Sequence, residues 1–177
     1  MDKAIFIDRD GVINKDFGGY ISRPEDFKFI EGVIEALKNL NQREFKLIVI
    51  TNQGGIAKGE YTEQDLESVH KKMVSLLENE GIRLTGIYYC PHHTSDNCDC
   101  RKPRTGMIEK AVKEHNIDPK KSFFIGDKTT DIQAGKDMGC MTFLVKTGYG
   151  GRDKICNVEP DFIVEDFFEA SKRILEM

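Results

Sequence analysis

The sequence predicts an α/β protein, a parallel sheet covered by helices on both faces. Short unbroken apolar runs such as Ala4-Ile5-Phe6-Ile7 suit strands buried on both sides. Stretches with apolar positions at helical spacing separate these runs. Three runs end in polar residues: Asp8 and Asp10, Thr51 and Asn52, Asp127 and Lys128. In an open parallel sheet those ends share one rim, and ligands collect there.

Ala4 to Ile7 is the first strand, stopped by Asp8-Arg9-Asp10-Gly11. A glycine-containing loop, Asp16-Phe17-Gly18-Gly19-Tyr20, and an irregular stretch follow to Ile30. From Gly32 to about Gln42, Val33, Ile34, Ala36, Leu37 and Leu40 repeat at helical spacing. Lys46 to Ile50 is a second strand, ending at Thr51-Asn52-Gln53-Gly54-Gly55. Thr62, with Asp65 close behind, caps a longer helix reaching about Glu80, with Leu66, Val69, Met73, Leu76 and Leu77 inward. Gly86 to Tyr89 is the third strand and leads into Cys90-Pro91-His92-His93. A compact loop closes at Cys98-Asp99-Cys100-Arg101-Lys102-Pro103, before a helix from Thr105 to His115. Ser122 to Ile125 is the fourth strand, Thr130 to Met138 a short helix, and Met141 to Val145 the fifth strand. Asp161 to Val164 adds a small edge strand before a closing helix, Phe167 to Leu175. There is no repeat and no low-complexity segment, and one domain over residues 1–177 is expected.

Apolar residues make up 39% and charged residues 32%, which excludes a disordered chain. A net charge of −4 offers nothing to attract nucleic acid. No apolar run reaches the roughly 20 residues that span a bilayer. Met1-Asp2-Lys3 enters the first strand directly and leaves no room for a signal peptide, so the cytoplasm is the expected compartment. Five cysteines, three of them between Cys90 and Cys100, point in a reducing compartment to metal or redox chemistry before disulfides.

The rim residues suit one reaction in particular. A carboxylate is ionised at neutral pH and needs no base to act as a nucleophile. It does need an electrophile that tolerates an approaching anion, and a phosphate ester bridged by Mg²⁺ is one. Asp8 and Asp127 offer the hard oxygens that Mg²⁺ prefers. Asp10 could protonate the leaving alkoxide and then activate water. The Thr51 hydroxyl and a lysine, Lys102 or Lys128, could hold the equatorial oxygens. Taken singly, an aspartate and a glycine after a strand also make an ordinary turn.

These residues resemble the haloacid dehalogenase superfamily of aspartate-nucleophile phosphatases. Its four signatures stand in order: Asp8-Arg9-Asp10-Gly11, Thr51-Asn52-Gln53, Lys102, and Gly126-Asp127-Lys128-Thr129-Thr130-Asp131. The resemblance implies a Rossmann-like fold, with Asp8 the nucleophile and Asp10 the general acid/base. It places Mg²⁺ on the Asp8 side chain, the Asp10 backbone carbonyl and Asp127, with Asp131 in support, and makes Thr51 and Lys102 catalytic. The intervals that hold a cap domain in many members are already filled here, so the resemblance implies a capless phosphatase, expected to be a monomer.

Cys90, His92, Cys98 and Cys100 offer the soft ligands of a tetrahedral Zn²⁺, with His93 a rival to His92. The expected role is structural, pinning a loop so that Arg101 and Lys102 reach the phosphate. Cys140 and Cys156 lie outside the cluster and read as packing residues. Within the superfamily this loop resembles two branches, the heptose-1,7-bisphosphate 7-phosphatases and the histidinol-phosphate phosphatases. Gly19-Tyr20, Gly55-Ile56-Ala57-Lys58-Gly59 and Pro103-Arg104-Thr105-Gly106-Met107 resemble the first. That branch implies a phosphosugar substrate held by Asp16, Gly19, Tyr20, Asn52, Gln53, Arg101 and Lys128. The Asp16–Tyr20 loop is one residue longer than the usual form, and Gly54 stands where serine is common. A non-catalytic phosphosugar-binding or zinc-ordered interaction module is the alternative from another class.

Overall fold

In the computed structural model, β1 (Ala4–Ile7), β2 (Lys46–Asn52), β3 (Gly86–Cys90), β4 (Phe123–Gly126), β5 (Met141–Val145) and β6 (Phe162–Val164) lie side by side. They form one parallel sheet in the order β3-β2-β1-β4-β5-β6. The structure describes residues 1–16 and 18–177; Phe17, within the expected substrate loop, lies outside them. Among the described residues four α-helices connect strands, α1 (Val33–Gln42), α2 (Glu63–Asn79), α3 (Gly106–His115) and α4 (Thr129–Asp137), and α5 (Phe167–Leu175) follows β6.

Strand alternation divides the core in two. Ile5, Ile7, Leu47 and Val49 face a layer made by Leu37 and Leu40 of α1, Met73 and Leu77 of α2, and Phe167 and Ile174 of α5. Ala4, Phe6, Ile48 and Ile50 face the other way, onto Met107, Ile108 and Ala111 of α3 and Ala134 of α4. Each large aliphatic or aromatic side chain so buried contributes about 1.5–3 kcal/mol. The central strand β1 is therefore gripped from both faces, and whatever follows Ile7 is held firmly.

Element boundaries follow the expected ones closely. The capping box of α2 is present, with Asp65 N–H donating to Thr62 Oγ1 and Thr62 N–H donating to Asp65 Oδ2. β2 runs on to Asn52, past the expected end at Ile50, because Thr51 and Asn52 pair with Tyr89 and Cys90 of β3. β6 begins at Phe162. The Asp161 carboxylate instead accepts from Thr142 N–H and Oγ1, both at 2.8 Å, and so ties the edge strand to β5. Among the described residues, the segment between β1 and α1 holds only a short 3-10 turn, Pro24–Asp26, and no inserted domain.

Candidate active site

Ile7 pairs with Val49 on one side and Ile125 on the other, so β1 and β4 end nearly level while β2 runs three residues further, to Asn52. Asp8 leaves β1 at that level with its N–H on Ile125 O at 3.0 Å. Lys102, arriving from the loop after β3, is buried between the strands and donates from Nζ to Asp8 Oδ1 at 2.7 Å and Ile50 O at 2.6 Å. The same Nζ lies 2.7 Å from Asp131 Oδ1 at the start of α4. Asn52 holds the Lys102 backbone at both ends, accepting from its N–H and donating to its carbonyl, each at 3.1 Å.

Asp127, directly after β4, is wholly buried; its Oδ2 accepts from Tyr149 N–H at 2.7 Å. Glycines make room for it: at Gly11 (φ +86°) or Gly148 (φ +59°) a Cβ would stand 2.5 or 2.2 Å from that oxygen. Its other oxygen, Oδ1, is buried with no hydrogen-bond partner. One carboxylate oxygen each from Asp8, Asp127 and Asp131 lies within 4.8 Å of the others. Burial pushes Asp127 up to about 8, with repulsion from Asp8 and Asp131 adding to it. Burial likewise lifts Asp8 to about 6, against the pull of Lys102. An orphaned oxygen among crowded carboxylates is a donor set matched to a hard divalent cation, and the residues fit Mg²⁺.

Asp10 sits differently. Arg9, wholly buried behind it, donates to Oδ1 from Nε at 3.0 Å and from Nη2 at 2.7 Å. Asn14 Nδ2 adds a bond to Oδ1 at 3.0 Å and Gln53 Nε2 one to Oδ2 at 2.8 Å. Burial alone would raise the Asp10 pKa; the Arg9 charge and these donors outweigh it and hold the carboxyl below its usual range. Both oxygens of the group thus accept from donors on the protein side.

The loop after β3 gathers Cys90, His92, Cys98 and Cys100. Cys90 Sγ lies 3.6 Å from Cys98 Sγ, Cys98 Sγ 3.5 Å from Cys100 Sγ, and His92 Nδ1 3.2 Å from Cys100 Sγ. Ligands about 2.0–2.3 Å from a tetrahedral Zn²⁺ would be roughly 3.5–3.8 Å apart, so the set fits zinc. His93 turns away, with Nδ1 on Ser95 Oγ at 2.9 Å. Arg104 closes the loop by donating to the carbonyls of Asn97 and Cys98.

A cleft of about 450 Å³ opens over these groups. Asp8, Asp10, Thr51, Asn52, Arg101, Lys102 and Lys128 all line it. Tyr20 reaches the rim beside Lys58, whereas Asp16 and Gly19 do not line it. Gln53 is buried behind Asp10, its amide divided among Asp10, Thr51 Oγ1 and Tyr61. Lys128 Nζ stands 4.4 Å from the centre of the Tyr149 ring. Burial would discharge it, but Asp8, Asp127 and Asp131 more than compensate and keep it a cation.

The HAD-hydrolase-like family profile matches residues 99–170. The D-glycero-β-D-manno-heptose-1,7-bisphosphate 7-phosphatase of Pasteurella multocida is 48% identical over 155 residues, 84% of either chain. The enzyme of that name from Escherichia coli K12 is 44% identical over 153 residues, covering 82% of this chain and 80% of its own. The chain belongs to the heptose-bisphosphate phosphatase family of haloacid dehalogenase-like hydrolases. A solved relative, the D,D-heptose 1,7-bisphosphate phosphatase from B. bronchiseptica complexed with magnesium and phosphate, superposes with a TM-score of 0.91. It is 31% identical, and the match covers 98% of each chain.

Some residues of this heptose-bisphosphate phosphatase-family site escape a reading by signatures alone. Thr147, whose Oγ1 donates to Gly11 O at 2.7 Å, and Tyr149 lie on the glycine-rich loop after β5. That loop starts at the same sheet rim, which is the signal that could have found it. Tyr61 and His70 carry no local signal, since a tyrosine before a helix cap and a histidine inside an amphipathic helix are ordinary residues.

Proposed function

We propose that the protein removes the 7-phosphate from D-glycero-β-D-manno-heptose 1,7-bisphosphate and leaves the anomeric phosphate in place. The observation that carries this reading is the buried Asp8–Lys102 pair in a cleft that Arg101 and Lys128 also line, in a chain close to relatives of that name. Asp8 attacks phosphorus, forming an aspartyl-phosphate and releasing the sugar alkoxide, which takes its proton from Asp10. Asp10, now ionised, takes a proton from water as that water attacks the aspartyl-phosphate, freeing inorganic phosphate and restoring Asp8. Thr51 and Lys102 hold the equatorial oxygens, where charge spreads during transfer. Asp8, Asp127 and the Asp10 carbonyl would hold Mg²⁺, with Asp131 beside them; the metal offsets the charge between nucleophile and phosphate. Arg101 and Lys128 face the retained phosphate, with Tyr20 and Lys58 at the sugar side of the rim.

Zinc in the Cys90–Cys100 loop is structural in this scheme. Residues 1–177 act as one catalytic domain, a monomer working in the cytoplasm. The test compares kcat/KM for the heptose bisphosphate, in both anomers, with histidinol phosphate. A clear preference for the bisphosphate is expected, and a preference for histidinol phosphate overturns the substrate. An Asp8→Ala variant that still turns over, or quenched enzyme never phosphorylated at Asp8, overturns the chemistry.

A further inference from the structure

Two buried side chains next to the site have no part in the scheme above. His70, on α2, meets the Arg9 guanidinium, with Nε2 3.2 Å from Nη1. An arginine can only donate, so Nε2 accepts and the ring proton sits on Nδ1. Burial and the Arg9 charge keep this ring neutral, its pKa down at about 3. Arg9 thus has all three arms engaged, Nε and Nη2 on Asp10 and Nη1 on His70. On the other flank the Tyr61 hydroxyl donates to Gln53 Oε1 at 2.5 Å. An amide can be turned end for end, and the reversed Gln53 would put an oxygen against the Asp10 carboxylate. The Asp10 carboxylate, which only accepts, selects the orientation in which Nε2 donates to Asp10 Oδ2 at 2.8 Å and Thr51 Oγ1 at 2.8 Å, and Tyr61 anchors the other end of the amide so that it stays in reach.

We propose that Tyr61 and His70 are positioning residues that aim the Asp10 carboxylate for hydrolysis of the aspartyl-phosphate, Tyr61 through Gln53 and His70 through Arg9. The proposal rests on the aspartyl-phosphate chemistry above but not on the identity of the sugar. Every neighbour in this clamp is a donor toward Asp10. A carboxylate can accept from all of them at once, while a protonated carboxyl would set its own hydrogen against one of them. The clamp therefore matches the proton-accepting half of the cycle, and the proton-donating half requires one arm to let go. Loosening it slows breakdown of the phosphoenzyme more than its formation.

p-Nitrophenyl phosphate separates these halves, because its leaving group departs without help from an acid. With this probe and Mg²⁺, Tyr61→Phe and His70→Leu are expected to lower kcat about five- to tenfold, a loss of alignment and not of a reacting group. KM should fall along with kcat, leaving kcat/KM within about twofold, and the fraction of enzyme trapped as phospho-Asp8 on rapid quench should rise. His70→Gln, whose Oε1 can replace Nε2 as the acceptor for Arg9, should return both values to within about twofold of the parent protein. Unchanged kcat and phosphoenzyme in the Tyr61→Phe and His70→Leu variants overturn the proposal, as does a loss of kcat without added phosphoenzyme. If His70→Leu does not fold, Tyr61→Phe, which removes a single oxygen, decides alone. A parent protein that hydrolyses the probe through phospho-Asp8 but ignores heptose bisphosphate overturns the substrate and leaves this proposal standing. A parent protein that never forms phospho-Asp8 overturns both.

Discussion

Lys102 is a cation enclosed by Asp8, Asp131 and the Ile50 carbonyl, with 3% of its surface exposed. Removing one partner of a buried pair leaves the other charge without compensation, at a cost of about 3–5 kcal/mol. Lys102→Met is therefore expected to lower the melting temperature by several degrees or more and to abolish phosphate release. A variant that melts like the parent and keeps its kcat would show that the lysine is dispensable. The presence of Asp8, Asp10, Asp127 and Lys102 in the site could be read from the sequence because each stands at or near a strand end or a known signature. The use made of Asn52 and Gln53 could not. Their amides hold Lys102 and Asp10, and such partnerships form between positions far apart in the chain, Asn52 with Lys102 and Gln53 with Asp10.

At the scale of elements, the cysteine loop is the piece whose order depends on something other than packing. Cys98 and Cys100 are only partly buried, and Thr94 to Asn97 are exposed. Zinc would supply the missing constraint, and the lysine that approaches Asp8 follows two residues after the last ligand. Cys98→Ser, or prolonged treatment with a strong chelator followed by Mg²⁺ alone, is expected to lower the melting temperature and kcat/KM together. Unaltered melting and kinetics after zinc is shown to be gone would remove its structural role. By contrast Thr62→Ala, which breaks the cap of α2, should cost about 1 kcal/mol of stability and leave KM for the phosphosugar unaltered. A shift in that KM would mean the helix entry reaches the cleft. The helices and strands themselves were legible because each run is long enough to show its period. The extension of β2 to Asn52 was not, since it depends on pairing with β3 and not on anything within the segment.

For the whole molecule, the crowded carboxylates link stability to pH. Asp127, at about 8, and Asp8, at about 6, hold protons more tightly folded than unfolded, where an aspartate titrates near 3.9. A raised acid favours the folded state at low pH, and that contribution is lost as pH climbs from about 4 through 8. Magnesium bound among these carboxylates would take the place of those protons, and it should raise the melting temperature more at pH 8 than at pH 6. The difference between the two pH values should shrink in Asp127→Asn. An equal magnesium shift at both would mean that these groups do not carry the linkage. No helix among the described residues is long and apolar enough to cross a membrane.

The order of the strands has one more result. Asp8 and Asp127 hang from β1 and β4 in the middle, whereas the cysteine loop leaves from β3 at the outer border of the sheet. The cysteine loop is therefore mounted apart from the two aspartates, yet it delivers Lys102 to one of them. An engineer who exchanged the segment from Pro91 to Arg101 for that of another relative would leave Asp8 and Asp127 where they are but would have to preserve the approach of Lys102.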